Sequence, residues 1–281
     1  MRSLSSTLLA AQKSASGQPY VKVEVLDYIA GVARPVFTRL YTGAEADFHH
    51  AATMPGDGSL LRARVNPATG ELYVQRVTAP GLGSNFTSWC RLETVSTYAN
   101  IALCSRGPQA ILFFVDSADK VSIYLRESSD YGATWGTATK VLTPPITRTL
   151  WLAADIRSSG VIGLFFASDA HEVWVTKRTG GVWSNTLPWT NSVSTLMGLG
   201  CAHYGDWNLA LSGSNASGEH KVWTCIYGDG GDQALDTWSG LRELTTASLG
   251  AQVQYLSPFL SRPDVFRLFF IEKYAGAYAY S

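Results

Sequence analysis

The sequence predicts an all-β chain built from five repeats of a four-stranded antiparallel unit, and three observations carry that prediction. An aromatic residue opens the last strand of each unit, at Phe37, Trp89, Trp135, Trp183 and Trp238. The gaps are 52, 46, 48 and 55 residues, a period suited to repeated sheets. A short apolar run keeps the same beat: Leu112-Phe-Phe-Val, Leu164-Phe-Phe-Ala and Leu268-Phe-Phe-Ile are near copies. Arg62-Ala-Arg-Val and Leu209-Ala-Leu-Ser are its degenerate members. Clusters of Gly, Pro, Asn and Asp bound these runs, which marks them as strands buried on both faces.

Each unit parses into strands A to D. In the second unit these are Asn100–Ser105, Ala110–Val115, Val121–Glu127 and Thr134–Leu142. Turn signals in register separate A from B in the other units, at Met54-Pro-Gly-Asp-Gly, Arg157-Ser-Ser-Gly, His203-Tyr-Gly-Asp and Ser261-Arg-Pro-Asp. Four-stranded units repeated in this way close radially into a β-propeller, which leaves no long exposed sheet edge. A β-solenoid would need a shorter, more uniform repeat. The expected domain is a five-bladed propeller over 19–281, with blades at about 46–95, 96–146, 147–193 and 194–248. The fifth joins 249–281 to 19–45. In that scheme the strands Tyr20–Leu26 and Pro35–Thr42 complete the sheet begun by Gln252–Phe259 and Val265–Glu272, locking the ring. The tail Tyr274–Ser281 reads as a rival C strand or as the start of more chain. Residues 1–18 form a helix and linker: Ser3 caps a short helix to about Lys13, with Leu4, Leu8 and Ala11 on one face.

Between strands C and D of the second unit, residues 128–135 read Ser-Ser-Asp-Tyr-Gly-Ala-Thr-Trp. Ser128 and Asp130 suit a tight turn because their side chains bond nearby backbone N–H groups. Gly132 allows positive φ, Thr134 completes the pattern, and Trp135 starts the next strand with a large apolar anchor, expected to be largely buried between blades. The run resembles the Asp-box (BNR repeat) of sialidase-like β-propellers. That resemblance implies fold and not activity, since the Asp-box is structural in the family. The first 25 residues also resemble phage-tail-type structural proteins, which implies a place in a larger virion or surface assembly docked through the N-terminal helix.

Composition narrows the function classes. Charged residues are 16% of the chain and net charge is zero, which gives no electrostatic reason to expect nucleic acid. No apolar stretch reaches transmembrane length, and Met1–Ala11 lacks a signal-peptide cleavage pattern. Cys90, Cys104, Cys201 and Cys225 have no metal or redox spacing and read as buried free thiols. No cofactor is expected. No metal is expected either, because His49 and His50 are adjacent on a strand and point to opposite faces.

The resemblance places a ligand at the channel mouth opposite the Asp-box turn, formed by A-strand starts and B–C loops. Asp47, His49, Tyr98, Asn100, Trp151, Gln252 and Gln254 fall there, a mixture of aromatic surface and amides suited to a glycan. Sialidase chemistry is not expected: the arginines that clamp a carboxylate in that family have no counterpart at this mouth, and Arg106, Arg157 and Arg262 lie at A–B turns instead. The primary expectation is non-enzymatic recognition or scaffolding. The alternative is a different glycoside hydrolase, pairing Asp47 with Asp116, Asp169 or Glu172 as acid and base or nucleophile. Against it stands the ordinary job of a turn aspartate, which is to cap backbone N–H groups.

Overall fold

The computed structural model describes residues 6–13, 19–29, 32–42, 49–66, 68–78, 88–168, 172–190, 192–204, 206–228, 237–244, 252–262, 265–274 and 277–280; over 6–50 and 252–280 the description is of backbone pairing. Every regular element among them is a β-strand, and the chain divides into two compact units at Thr149.

The first unit holds three sheets. Strands β1 (Ser6–Lys13), β2 (Pro19–Ile29) and β3 (Val32–Thr42) form a three-stranded meander. Strands β4 (His49–Thr53), β5 (Leu60–Val65), β6 (Glu71–Val77) and β7 (Cys90–Thr94) form a four-stranded sheet. The third sheet is β8 (Ala102–Arg106), β9 (Gln109–Val115), β10 (Ile123–Ser128) and β11 (Thr139–Leu142). All neighbours are antiparallel, and the first strand of each sheet lies beside the first strand of the next. That adjacency is what stacked propeller blades require.

Alternation along the strands builds the core between the second and third sheets. Leu61, Ala63 and Val65 of β5 turn toward Ala110, Leu112 and Phe114 of β9, and all are buried. The period of two puts one face of each strand into each inter-sheet layer, so a strand inside a stack is apolar on both sides. Strand β9 shows this outright, with six of its seven residues buried.

The second unit repeats the plan. Its strands β12 (Trp151–Ile156), β13 (Ile162–Ala167) and β14 (Glu172–Thr179) are followed by a last strand in two pieces, β15 (Val182–Trp183) and β16 (Leu187–Thr190), both pairing with β14. The next sheet is β17 (Thr195–Tyr204), β18 (Asp206–Ser214) and β19 (His220–Gly228), again with a divided outer strand, β20 (Thr237–Trp238) and β21 (Arg242–Glu243). The last sheet is β22 (Gln252–Arg262), β23 (Val265–Tyr274) and β24 (Ala277–Tyr280). An aromatic core joins the first two of these sheets: Phe165 stands edge-on to Trp207, Tyr227 and Trp238 at 5.8–6.0 Å. Trp189 stacks on Trp238 at 4.9 Å.

Three expectations need correction. Ser6–Lys13 is a strand, paired with β2 from Ser6 against Leu26 to Lys13 against Pro19, where a helix was expected. The rest of that expected helix lies outside the described residues. The chain ends do not share one sheet: β1–β3 and β22–β24 are separate three-stranded sheets, so the described residues form six sheets where five blades were expected. These changes have one cause. With β1 as a third strand, and β24 formed by the tail over 277–280, neither end needs the other to complete a sheet.

Candidate functional site

The segment from Ser128 to Trp135 takes up the turn that its residues suggest. Ser128 donates its hydroxyl to Asp130 Oδ1 at 2.8 Å and accepts from Gly132 N at 2.8 Å. Asp130 accepts from Thr134 N at 2.9 Å and from the Thr134 hydroxyl at 2.6 Å. These bonds, the Thr134 hydroxyl first, pull the Asp130 pKa from an ordinary 3.8 to about 2. Gly132 is required twice over: its φ is +79°, and a Cβ there would stand 2.4 Å from Leu61 Cδ2. Trp135 packs against the inter-sheet core, and its indole N–H has no partner among the described residues. It closes the edge of that core, with most of its surface covered, in line with the large apolar anchor expected there.

The residues expected at the channel mouth separate into several environments. Asp47 and Asp169 lie outside the described residues. His49 and Gln252 begin strands β4 and β22, with Gln254 two residues further along β22. Trp151 opens β12, but its indole donates to Leu196 O at 3.1 Å and packs on the second unit's core. Asp116 accepts from Ala118 N at 2.9 Å, a turn cap. Its neighbour Asp119 caps Val121 N and Ser122 N, both at 2.8 Å. Burial alone would raise the Asp119 pKa; its bonds from Ser122 and Val121 outweigh that and hold it low. Glu172 is half-buried at the start of β14. Asn100 is half-buried and hydrogen-bonding or packing partners engage it.

Tyr98 alone of the expected aromatics is open, with 52% of its surface exposed. It sits in the loop between β7 and β8, its N–H bonded to Ser96 Oγ at 3.3 Å. Two cations approach its ring: Lys120 Nζ at 5.0 Å and Arg148 Cζ at 4.7 Å from the centroid.

A second constellation lies on the β4–β7 sheet, on the face opposite Leu61, Ala63 and Val65, and sequence reasoning missed it. Arg62 and Arg64 alternate with those core residues on β5, and both guanidiniums approach the Trp89 ring, at 5.0 and 4.2 Å. Arg64 also stands 5.4 Å from the ring of Tyr73, its cross-strand partner on β6. The Tyr73 hydroxyl donates to Glu71 Oε2 at 2.8 Å, and Arg91 Nε meets Glu71 Oε1 at 3.2 Å. The Tyr73 and Thr69 hydroxyls hold the Glu71 carboxyl below its ordinary range, and the same bond raises the Tyr73 phenol. Arg62 is only 3% exposed, whereas the Arg91 and Glu71 side chains are 56% and 29% exposed. The group thus runs from a buried guanidinium to an accessible rim. Its signal was present in the sequence: arginine stands twice in a run whose near copies are Leu-Phe-Phe.

A half-buried aromatic face, planar donor forks and an ionised acceptor together match what a sugar ring presents: an apolar C–H face edged with hydroxyls that both donate and accept. Among the described residues no group of three His, Cys, Asp or Glu converges as for a metal ion, and no helix is long and apolar enough to cross a membrane. Cys104 and Cys225 are buried free thiols, Cys201 is half-buried and Cys90 exposed, where burial was expected of all four. Burial pushes the Cys225 thiol well above its ordinary pKa.

No protein-family model and no curated protein matches the chain. Solved structures do. A fungal lectin from Aleuria aurantia, described as a six-bladed β-propeller with a novel fucose recognition mode, is 10% identical with a TM-score of 0.58, over 99% of this chain and 94% of that one. AofleA from Arthrobotrys oligospora is 11% identical with a TM-score of 0.59, over 98% and 81%. A protein of unknown function from Dyadobacter fermentans is 10% identical with a TM-score of 0.61, over 99% and 96%. At such identity the likeness establishes the fold alone. The chain has the fold of a β-propeller, and the lectin it resembles has six blades, matching the six sheets found here.

Proposed function

We propose that this chain is a non-catalytic, saccharide-binding β-propeller, and that the constellation on the β4–β7 sheet is its binding site. One observation carries the proposal: Arg64, Tyr73, Trp89, Glu71 and Arg91 put aromatic surface, guanidinium donors and an ionised acceptor on one sheet face, where the next sheet has packed apolar residues. Glu71 and Arg91 supply the accessible polar rim; Trp89 and Tyr73 supply the ring-stacking surface. The likeness to propellers described as fucose-specific or crystallised with α-methyl fucoside makes fucosides the first ligands to try.

The test is a glycan-array screen of the purified protein, followed by calorimetric titration of the best hit and an assay for its hydrolysis. Binding without turnover, weakened about tenfold or more by Arg91→Ala or Glu71→Gln, is the expected result. Turnover of the bound glycan, or binding indifferent to both substitutions, would remove the proposal. The finer reading places the propeller in a virion or cell-surface assembly through its N-terminal segment. The sequence resemblance of the first 25 residues supports it, and co-sedimentation of the intact chain with virion or cell-surface particles would test it.

A further inference from the structure

We infer that Tyr98, Lys120 and Arg148 form a second, separate site that takes the acidic group, carboxylate or sulfate ester, of a charged saccharide. The saccharide part of this inference rests on the function proposed above; the anionic part rests on its own geometry.

Tyr98 is the one exposed large aromatic among the described residues. Lys120 and Arg148 both stand within 5.0 Å of its ring centroid, so the ring holds two like charges near each other. Neither cation makes an ion pair among the described residues, and the adjacent acids are occupied. Asp116 caps Ala118, and Asp119 takes three bonds from Val121 and Ser122. Two cations beside one ring repel each other, and cation–π attraction offsets that only in part at an exposed site. An anion between them turns the repulsion into a charge-assisted contact. Arg148 offers a planar fork matched to a carboxylate or sulfate, and Lys120 adds a compact point charge.

The backbone supports the arrangement. Lys120 has φ of +59°, a left-handed conformation unfavourable to a side chain with a Cβ. It is held there by its N–H to Asp116 O at 3.2 Å and by Thr149 N donating to its carbonyl at 3.1 Å. The second bond ties the Lys120 turn to the segment that carries Arg148. Both cations are therefore positioned before any ligand arrives, which lowers the ordering cost of binding.

The experiment titrates the full chain with a sulfated disaccharide, a glucuronate-containing disaccharide, the neutral counterpart of each, and inorganic sulfate. The expected result is binding of one or both acidic disaccharides, weakened about tenfold by Arg148→Gln, and falling several-fold between about 50 and 300 mM salt as screening grows. Lys120→Gly should weaken binding similarly while raising or preserving thermal stability, because glycine relieves the strained φ; a loss of binding with intact folding separates recognition from structure. Equal binding of the neutral disaccharides, displacement by inorganic sulfate at the same concentration, or unchanged affinity in both variants would overturn the inference. Those results would leave the neutral-glycan site untouched, since that site is read out through Glu71 and Arg91.

Discussion

The second and third sheets of the first unit use one register for two purposes. On β5 and β6, Arg64 faces Tyr73 and Arg62 faces Gln75; on β9 and β10, Phe114 faces Tyr124 and Leu112 faces Arg126. The positions correspond one to one. In the third sheet Phe114 stacks on Tyr124 at 6.1 Å and both close the core against β5. In the second, a guanidinium replaces the Phe ring over the matching tyrosine, and the network extends to Trp89, Glu71 and Arg91. A repeat fold makes such a comparison informative. Backbone demands are the same in both sheets, so the change of side-chain chemistry at matched positions is what the proposed recognition role draws on.

The comparison breaks most visibly in stability. Phe114→Ala should destabilise the protein by about 3–5 kcal/mol, the range for removing a buried aromatic, read by denaturant titration. Arg64→Ala should cost less, about 1–2 kcal/mol of lost stem packing and ring contacts, and yet eliminate measurable glycan binding. Equal costs for the two would show that the Arg64 layer is ordinary core.

A sharper version is Arg64→Phe, which writes the third sheet's stacked pair into the second. Stability should stay within about 1.5 kcal/mol of the parent, since volume and packing mode are retained, while affinity for the array hit falls at least about tenfold. Retained affinity would locate the ligand elsewhere.

The turn from Ser128 to Thr134, which packs against Leu61 of the second sheet, sets the next, smaller effect. Asp130→Ala should cost about 1 kcal/mol through its lost turn bonds. Its folded pKa of about 2 lies below the ordinary 3.8, so its contribution is fully present above pH 3.8 and is lost as pH falls toward 2. The parent should lose stability across that window by more than Asp130→Ala does. The smallest effect concerns binding. Because Glu71 is held below its ordinary 4.5, affinity should be flat from neutral pH to about pH 5 and fall only below it, followed by titration at several pH values.

Much of the central fold was legible because its signals are local. Strands β8, β9 and β10 lie within two residues of their expected limits, since turn residues and a hydrophobic run define each end. The chain ends were not. Over eight residues Leu4, Leu8 and Ala11 satisfy a helical period about as well as a strand pattern, and pairing of Ser6–Lys13 with β2 decides between them. That pairing is tertiary information. The turn roles of Asp116 and Asp130 and the packing of Trp135 against the core followed directly from residue type. The arginine constellation was visible but was read as a worn copy of the apolar marker. The Lys120 and Arg148 pair was not visible at all: one sits in a hairpin loop, the other just before β12, and only the fold brings both to Tyr98.

The most direct test of the central claim is a crystal structure of the protein with its best array glycan. The account predicts a sugar ring against Trp89 or Tyr73 with hydroxyls within hydrogen-bond reach of Arg64, Glu71 or Arg91, and an intact glycosidic bond. A glycan found cleaved, or bound with none of those five residues in contact, would contradict it.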